Sequence, residues 1–262
     1  MGYKVMQIEV SNLCSLTCAY CPHPTQARPK DNMSLGTFEK CLELVQRSDN
    51  PVYKGRKFVW LNHFGEPLLN PRLADFIALA ASRDIEVSFA TNGVDEDKRL
   101  FPRERWRELA AAGLKGVAFS AHVKSARRFK AQVDGIVEVI SVWEPRRDQI
   151  HDWAGQVELK AQWSHEHDGA RRQPCDYQRD NMFAVTWDGR IAACCYDIEG
   201  QPGLTVDDVL ANGFGFRDVP LCATCNLGRG DADWLREPLH QILGPAQPWY
   251  RRWLGGRQAQ SA

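Results

Sequence analysis

Residues 4–25 read KVMQIEVSNLCSLTCAYCPHPT. The first seven alternate in the manner of a half-buried strand. A loop follows at once, and it carries Cys14, Cys18 and Cys21 at spacings of x3 and x2. Moving outward, the same plan repeats. A helical pattern at 35–47 precedes a strand at 57–62 (KFVWLN), which runs into His63-Phe64-Gly65-Glu66-Pro67. A helix at 72–82 precedes a strand at 86–90 that ends at Thr91-Asn92-Gly93. A helix at 103–112 leads to a strand at 116–120, followed by Ala121-His122. Strands alternating with helices of this length predict βαβ units around a parallel sheet, an α/β fold. Chemistry in such sheets gathers at the carboxyl ends of the strands, where all four special segments fall.

Beyond residue 120 the alternation weakens. Strands are expected within 133–143 and at 156–163, so the barrel is short and incomplete. After Pro174 the texture changes: 182–186 and 190–193 flank Trp187-Asp188-Gly189, which resembles a hairpin turn. The expected organisation is a core over 1–165, a small second domain over 166–248 with a hairpin and a helix, and a frayed tail at 249–262. The chain has 33 Lys+Arg against 33 Asp+Glu, which argues against bulk attraction to nucleic acid or an anionic membrane. No apolar run is long enough to span a bilayer, and Glu9 interrupts the only apolar stretch near the N-terminus. The expectation is a soluble, cytoplasmic protein. The paired arginines (Arg127-Arg128, Arg146-Arg147, Arg171-Arg172) read as solvated surface, or as a clamp for a substrate phosphate.

Nine cysteines in a reducing compartment point to metal or catalysis rather than disulfides. Cys41, alone on the apolar face of the 35–47 helix, reads as a small core residue. The first set supplies three thiolates from one loop. On a four-iron cluster, that leaves one iron open to another ligand. A three-cysteine zinc knuckle completed by a distant ligand such as His23 is the alternative. The second set is Cys175, then Gly189-x4-Cys194, then Cys222-x2-Cys225. Its four thiolates could close either an iron–sulfur cluster or a structural zinc site, and either predicts that the region unfolds without metal.

The first set, with aromatic Tyr20 directly before Cys21, resembles the signature of the radical S-adenosylmethionine (SAM) superfamily. That resemblance implies a partial, shortened (β/α)6-type barrel and a [4Fe–4S] cluster held by Cys14, Cys18 and Cys21. It also implies SAM as cosubstrate. Cosubstrate contacts are implied for Tyr20, Gly65, Glu66, Asn92, Ser120 and His122, with Glu66 accepting from the SAM amino group. Phe64 departs from the family's doubled glycine before Glu-Pro. The second set resembles the SPASM region in its shorter twitch form, which implies a second [4Fe–4S] cluster on Cys175, Cys194, Cys222 and Cys225.

The following residues, Cys195, Tyr196 and Asp197, become catalytic candidates. Cys195 could replace Cys194 as ligand, pack as a small apolar residue, or donate a hydrogen atom to a substrate radical. The whole is similar to 2-deoxy-scyllo-inosamine dehydrogenase-like enzymes. Those carry an arginine before the auxiliary region, and 151–155 (HDWAG) has none, leaving His151 and Asp152 as candidate bases. The implied reaction is a two-electron oxidation of a small sugar- or aminocyclitol-like substrate, with a flavodoxin- or ferredoxin-type electron donor. Epimerisation through Cys195, peptide modification and a non-catalytic metal-binding module stand as alternatives.

Overall fold

The computed structural model describes residues 2–53, 55–120, 126–143, 153–157 and 174–225. Eight strands form one sheet: β1 (Lys4–Ile8), β2 (Val52–Tyr53), β3 (Arg56–Trp60), β4 (Ile85–Thr91), β5 (Gly116–Ser120), β6 (Glu138–Trp143), β7 (Met182–Val185) and β8 (Ile191–Ala192). Their order is β6-β5-β4-β3-β1-β7-β8, parallel from β6 to β7, with β2 and β8 antiparallel to their partners. Six α-helices accompany them among the described residues: α1 (Leu35–Arg47), α2 (Leu73–Ser82), α3 (Arg103–Ala112), α4 (Ala126–Val133), α5 (Asp176–Arg179) and α6 (Val206–Asn212). This is the expected mixed α/β partial barrel.

Local chemistry explains the helices that the sequence predicts. Ser34 caps α1 by accepting from the Thr37 amide at 3.0 Å, and Phe38, Cys41, Leu42 and Val45 form its buried face. Cys41 is core, as expected, and burial pushes its thiol well above the ordinary range. The helices cover the sheet with aromatic rings. Trp106 of α3 stacks 6.3 Å from Phe89 of β4 and meets Phe129 of α4 edge-on at 5.8 Å. Phe129 in turn lies parallel to Phe119 of β5 at 3.7 Å.

One feature departs from the sequence expectation and one goes beyond it. The strand beginning at Lys4 ends at Ile8, because Glu9 turns its side chain into a buried polar network. The Met182–Val185 strand does not stop at its hairpin. It adds parallel to β1, so the polypeptide around Cys194 continues the main sheet. The 156–163 strand lies, beyond residue 157, outside the described residues, as do the tail and the 166–173 boundary.

The network at the end of β1 fixes this junction. Arg28 donates from Nη1 and Nη2 to the two Glu9 oxygens at 2.9 and 3.2 Å, and both side chains are essentially solvent-free. Glu9 also accepts from the amides of Phe64 (3.3 Å) and Trp187 (3.1 Å). The Arg28 Nε donates to the Ile198 carbonyl at 2.7 Å. One ion pair therefore ties the end of the first cysteine loop, the Gly65-Glu66 segment and the hairpin beside Cys194. Burial pushes the Glu9 carboxyl up, and the guanidinium and the two amides oppose that shift. Removing one partner strands the other charge, so Arg28→Met should cost about 3–5 kcal/mol in urea unfolding. The Glu9→Leu/Arg28→Met double variant should lose less than the sum of the singles. Strict additivity would contradict the pairing.

Candidate metal centres and cosubstrate site

The first cysteine loop is braced by its own hydrogen bonds. Asn12 donates to Gln26 Oε1 and the Pro29 carbonyl, and accepts from the Asp31 amide at 2.7 Å. His23 places Nε2 2.7 Å from the Asn12 carbonyl, which commits that nitrogen to the loop. Among the described residues, no three His, Cys, Asp or Glu side chains are gathered tightly enough to chelate one metal ion.

Each thiol is nonetheless prepared for a charge. Cys14 accepts from the Leu16 amide and Cys21 from the His23 amide, a backbone donor two residues on in both cases. Cys18 accepts from the Tyr20 hydroxyl. Burial still dominates, and pushes Cys14 and Cys21 up to about 11. The free loop therefore holds neutral thiols, and a bound cation must displace their protons.

The next strand ends complete the site. The Glu66 amide donates to the Leu13 carbonyl at 2.7 Å, which docks this segment on the cysteine loop. A Cβ on Gly65 would meet the Ser11 carbonyl oxygen at 2.0 Å, so only glycine permits that approach. Glu66 is 2% exposed, and accepts from the Leu68 amide (3.1 Å), the Thr91 hydroxyl (2.8 Å) and the Asn92 amide (2.7 Å). No Lys, Arg or His among the described residues pairs with it, and burial pushes its carboxyl up to about 7. A buried carboxylate held by neutral donors is suited to a ligand's cationic group. Asn92 brings its Nδ2 3.9 Å from Cys14 Sγ, which places the Thr91-Asn92-Gly93 turn beside the cysteine loop. Ser120 ends β5, paired with Trp143 of β6. His122, His151 and Asp152 lie outside the described residues.

The second set also converges. Cys194, Tyr196, Cys225 and Ala154 form a small buried cluster, with Cys195, Tyr177, Trp153 and Leu221 packed on it. Cys175 and Cys222 are electrostatic neighbours, as are Cys194 and Cys225. Cys194 accepts from the Tyr196 amide at 3.4 Å, and Cys175 from the Tyr177 and Gln178 amides, the same arrangement as in the first loop. Cys195 keeps part of its surface exposed, but its thiol is enclosed by Tyr177, which hydrogen-bonds to it, and by Cys225 and Cys175. Burial pushes it up to about 12. Tyr196 is buried against Trp153. Asp197 braces its own turn, accepting from the Ala193 and Gly200 amides at 2.9 and 3.0 Å.

Sequence reasoning did not single out Tyr177, Trp153 or His63. Trp153 and Ala154 adopt φ values of 54° and 61°. Such left-handed backbone costs roughly 1–3 kcal/mol per residue outside glycine. His63 is enclosed between Glu9, with Nδ1 3.8 Å from Oε1, and the Cys194-Cys195 backbone, and burial pushes its imidazole down to about 4.

Residues 8–137 match the model of the Radical SAM superfamily. Among curated proteins, the chain is 27% identical over 120 residues to the tungsten-containing aldehyde ferredoxin oxidoreductase cofactor-modifying protein of Pyrococcus furiosus. It is 31% identical over 117 residues to the GTP 3',8-cyclase of Alkaliphilus oremlandii. These matches cover 46% and 44% of this chain but only 31% and 33% of the relatives, so the chain spans about a third of their length. The fold is similar to that of BtrN in complex with AdoMet and 2-DOIA, with a TM-score of 0.56 and 18% identity over 75% of this chain and 74% of that one.

The raised Glu66 pKa gives a signed expectation. Its folded carboxyl holds a proton between about 4.5 and about 7 that the unfolded chain releases, so its contribution to stability falls as pH rises through that window. His63, depressed from 6.5 to about 4, acts in the opposite direction and masks part of the effect. The comparison with Glu66→Gln isolates it. The melting temperature of the metal-free wild type, minus that of the variant, should fall between about pH 5 and about pH 7. A difference independent of pH would contradict the assignment.

Proposed function

Residues 8–137 make this chain a member of the radical SAM superfamily, and on that premise we propose that it oxidises a small hydroxyl- or amino-bearing substrate by two electrons. The observation that carries the proposal is the gathering of a second cysteine set, with backbone amides directed at its sulfurs as in the first. In this reading Cys14, Cys18 and Cys21 hold a SAM-binding [4Fe–4S] cluster. Cys175, Cys194, Cys222 and Cys225 hold an auxiliary cluster of the twitch type. When bound, the first cluster and SAM would supply hydrogen-atom abstraction through a 5′-deoxyadenosyl radical, and the second cluster would supply one-electron acceptance. A flavodoxin- or ferredoxin-type protein supplies the reducing electron.

The chain's own residues bind and orient. Glu66, buried without a cationic partner among the described residues, accepts from the SAM ammonium, while Thr91 and the Asn92 amide hold its carboxylate in place. Tyr20, Gly65, Asn92 and Ser120 border the same strand ends and complete the cosubstrate cradle; His122 follows Ser120 in sequence. Cys195 turns to Tyr177 and the auxiliary cysteines, so oxidation rather than epimerisation through this thiol is the reading proposed. The similar fold of BtrN, solved in complex with AdoMet and 2-DOIA, is in keeping with a SAM-binding barrel here.

Anaerobically reconstituted protein should hold about eight irons, and the Cys14/Cys18/Cys21→Ala variant about four. With dithionite and SAM the wild type should release 5′-deoxyadenosine, and the variant none. About four irons in the wild type would remove the auxiliary cluster. Absence of cleavage from fully loaded protein would remove the radical reaction. In heavy water, the reacting carbon of the recovered product should carry no solvent deuterium, and one deuterium at that carbon would favour epimerisation instead.

A further inference from the structure

We infer that Trp153 is a positioning residue that fixes the Cys18–Cys21 segment of the first metal site against the second cysteine set. The inference rests on the two-site reading above. The indole Nε1 donates to the Tyr20 carbonyl at 2.7 Å. Tyr20 lies between Cys18 and Cys21, so this carbonyl belongs to the short link that sets the separation of two thiols. The same indole meets Phe64 edge-on at 5.3 Å, directly before Gly65-Glu66. It also meets Tyr196 at 5.0 Å, whose amide donates to Cys194 Sγ.

The turn that carries Trp153 is fastened independently. Gln156 Nε2 donates both to the Trp153 carbonyl (2.7 Å) and to the Tyr196 carbonyl (2.8 Å). Thr224, the neighbour of Cys225, donates from its hydroxyl to the Ala154 carbonyl at 2.6 Å. Trp153 and Ala154 are left-handed in succession, followed by Gly155 at φ 85°. Strain of this kind persists where the surroundings over-determine it, and it gathers at functional sites. Here the determinants come from the first cysteine loop, the Phe64-Gly65-Glu66 segment, the Cys194 turn and the Cys222-x2-Cys225 segment.

The side chain suits the task on two counts. A wide ring reaches Phe64 and Tyr196 together, and a donor on its rim reaches the Tyr20 carbonyl. Phenylalanine preserves part of the packing and removes the donor, so Trp153→Phe separates the two. Trp153 does not touch a reacting atom in this assignment. It acts through Tyr20, which the proposed cosubstrate site uses, and releasing that carbonyl should loosen SAM binding while leaving every cysteine available.

The test uses the full chain, wild type and Trp153→Phe, reconstituted anaerobically and reduced with dithionite. Iron is counted first, and SAM is then titrated while its effect on the paramagnetic resonance line shape is followed. Both proteins should hold about eight irons. The variant should need about fivefold more SAM for half the spectral change, the size expected for one lost neutral hydrogen bond. Equal iron with superimposable titrations would overturn the inference. A wild type holding only about four irons would overturn the two-site reading, and this inference with it. Trp153→Ala removes packing as well, and should weaken the SAM response beyond Trp153→Phe; an alanine variant that titrates like the wild type would also overturn it.

Discussion

The buried pair between Glu9 and Arg28 is the constraint on which the rest of this architecture depends. A carboxylate and a guanidinium removed from water carry a large desolvation cost, offset only when every donor and acceptor is engaged. Here the engagement draws in three distant parts of the chain: the Phe64 amide, the Trp187 amide and the Ile198 carbonyl. The first cysteine loop begins just after Glu9 and ends before Arg28. The pair therefore closes that loop at its base and seats it against the hairpin that leads to Cys194. The parallel addition of β7 to β1 is the backbone counterpart of the same junction.

Above that base, burial sets the electrostatics of both cysteine sets. Buried thiols resist ionisation, and Cys14, Cys21 and Cys195 all lie above the ordinary thiol range. Amides and hydroxyls point at their sulfurs, an arrangement that stabilises a thiolate more than a thiol. The protein has supplied the hydrogen bonds but not the countercharge. Glu66 presents the complementary case, a buried carboxylate with three neutral donors and no cation among the described residues. In the proposed reading, a metal cluster and an ammonium-bearing cosubstrate would meet both requirements.

Much of this was legible in the sequence because its causes are local. Apolar alternation places β3, β4 and β5 within a residue or two, and the motifs at their ends fall where parallel sheets put chemistry. Gly65 is required by a contact with Ser11 that the sequence could only hint at through a conspicuous Gly-Glu-Pro. The attachment of β7 to β1 pairs Lys4 with Met182, a separation no local pattern encodes. Glu9 did leave a trace, a lone charge in an apolar stretch, but the trace does not name Arg28 as its partner. The orientation of Cys195 and the bridging place of Trp153 arise from long-range packing around Tyr177, Tyr196 and Tyr20, and their own sequence neighbourhoods give no sign of either.

The central claim is that two separate metal sites stand on one base, and that only the first is open to SAM. Paramagnetic resonance of the dithionite-reduced, fully loaded protein tests it most directly, recorded before and after SAM is added. Two overlapping signals are predicted, one shifted by SAM and the other unchanged. A single signal, or two that both shift, would contradict it.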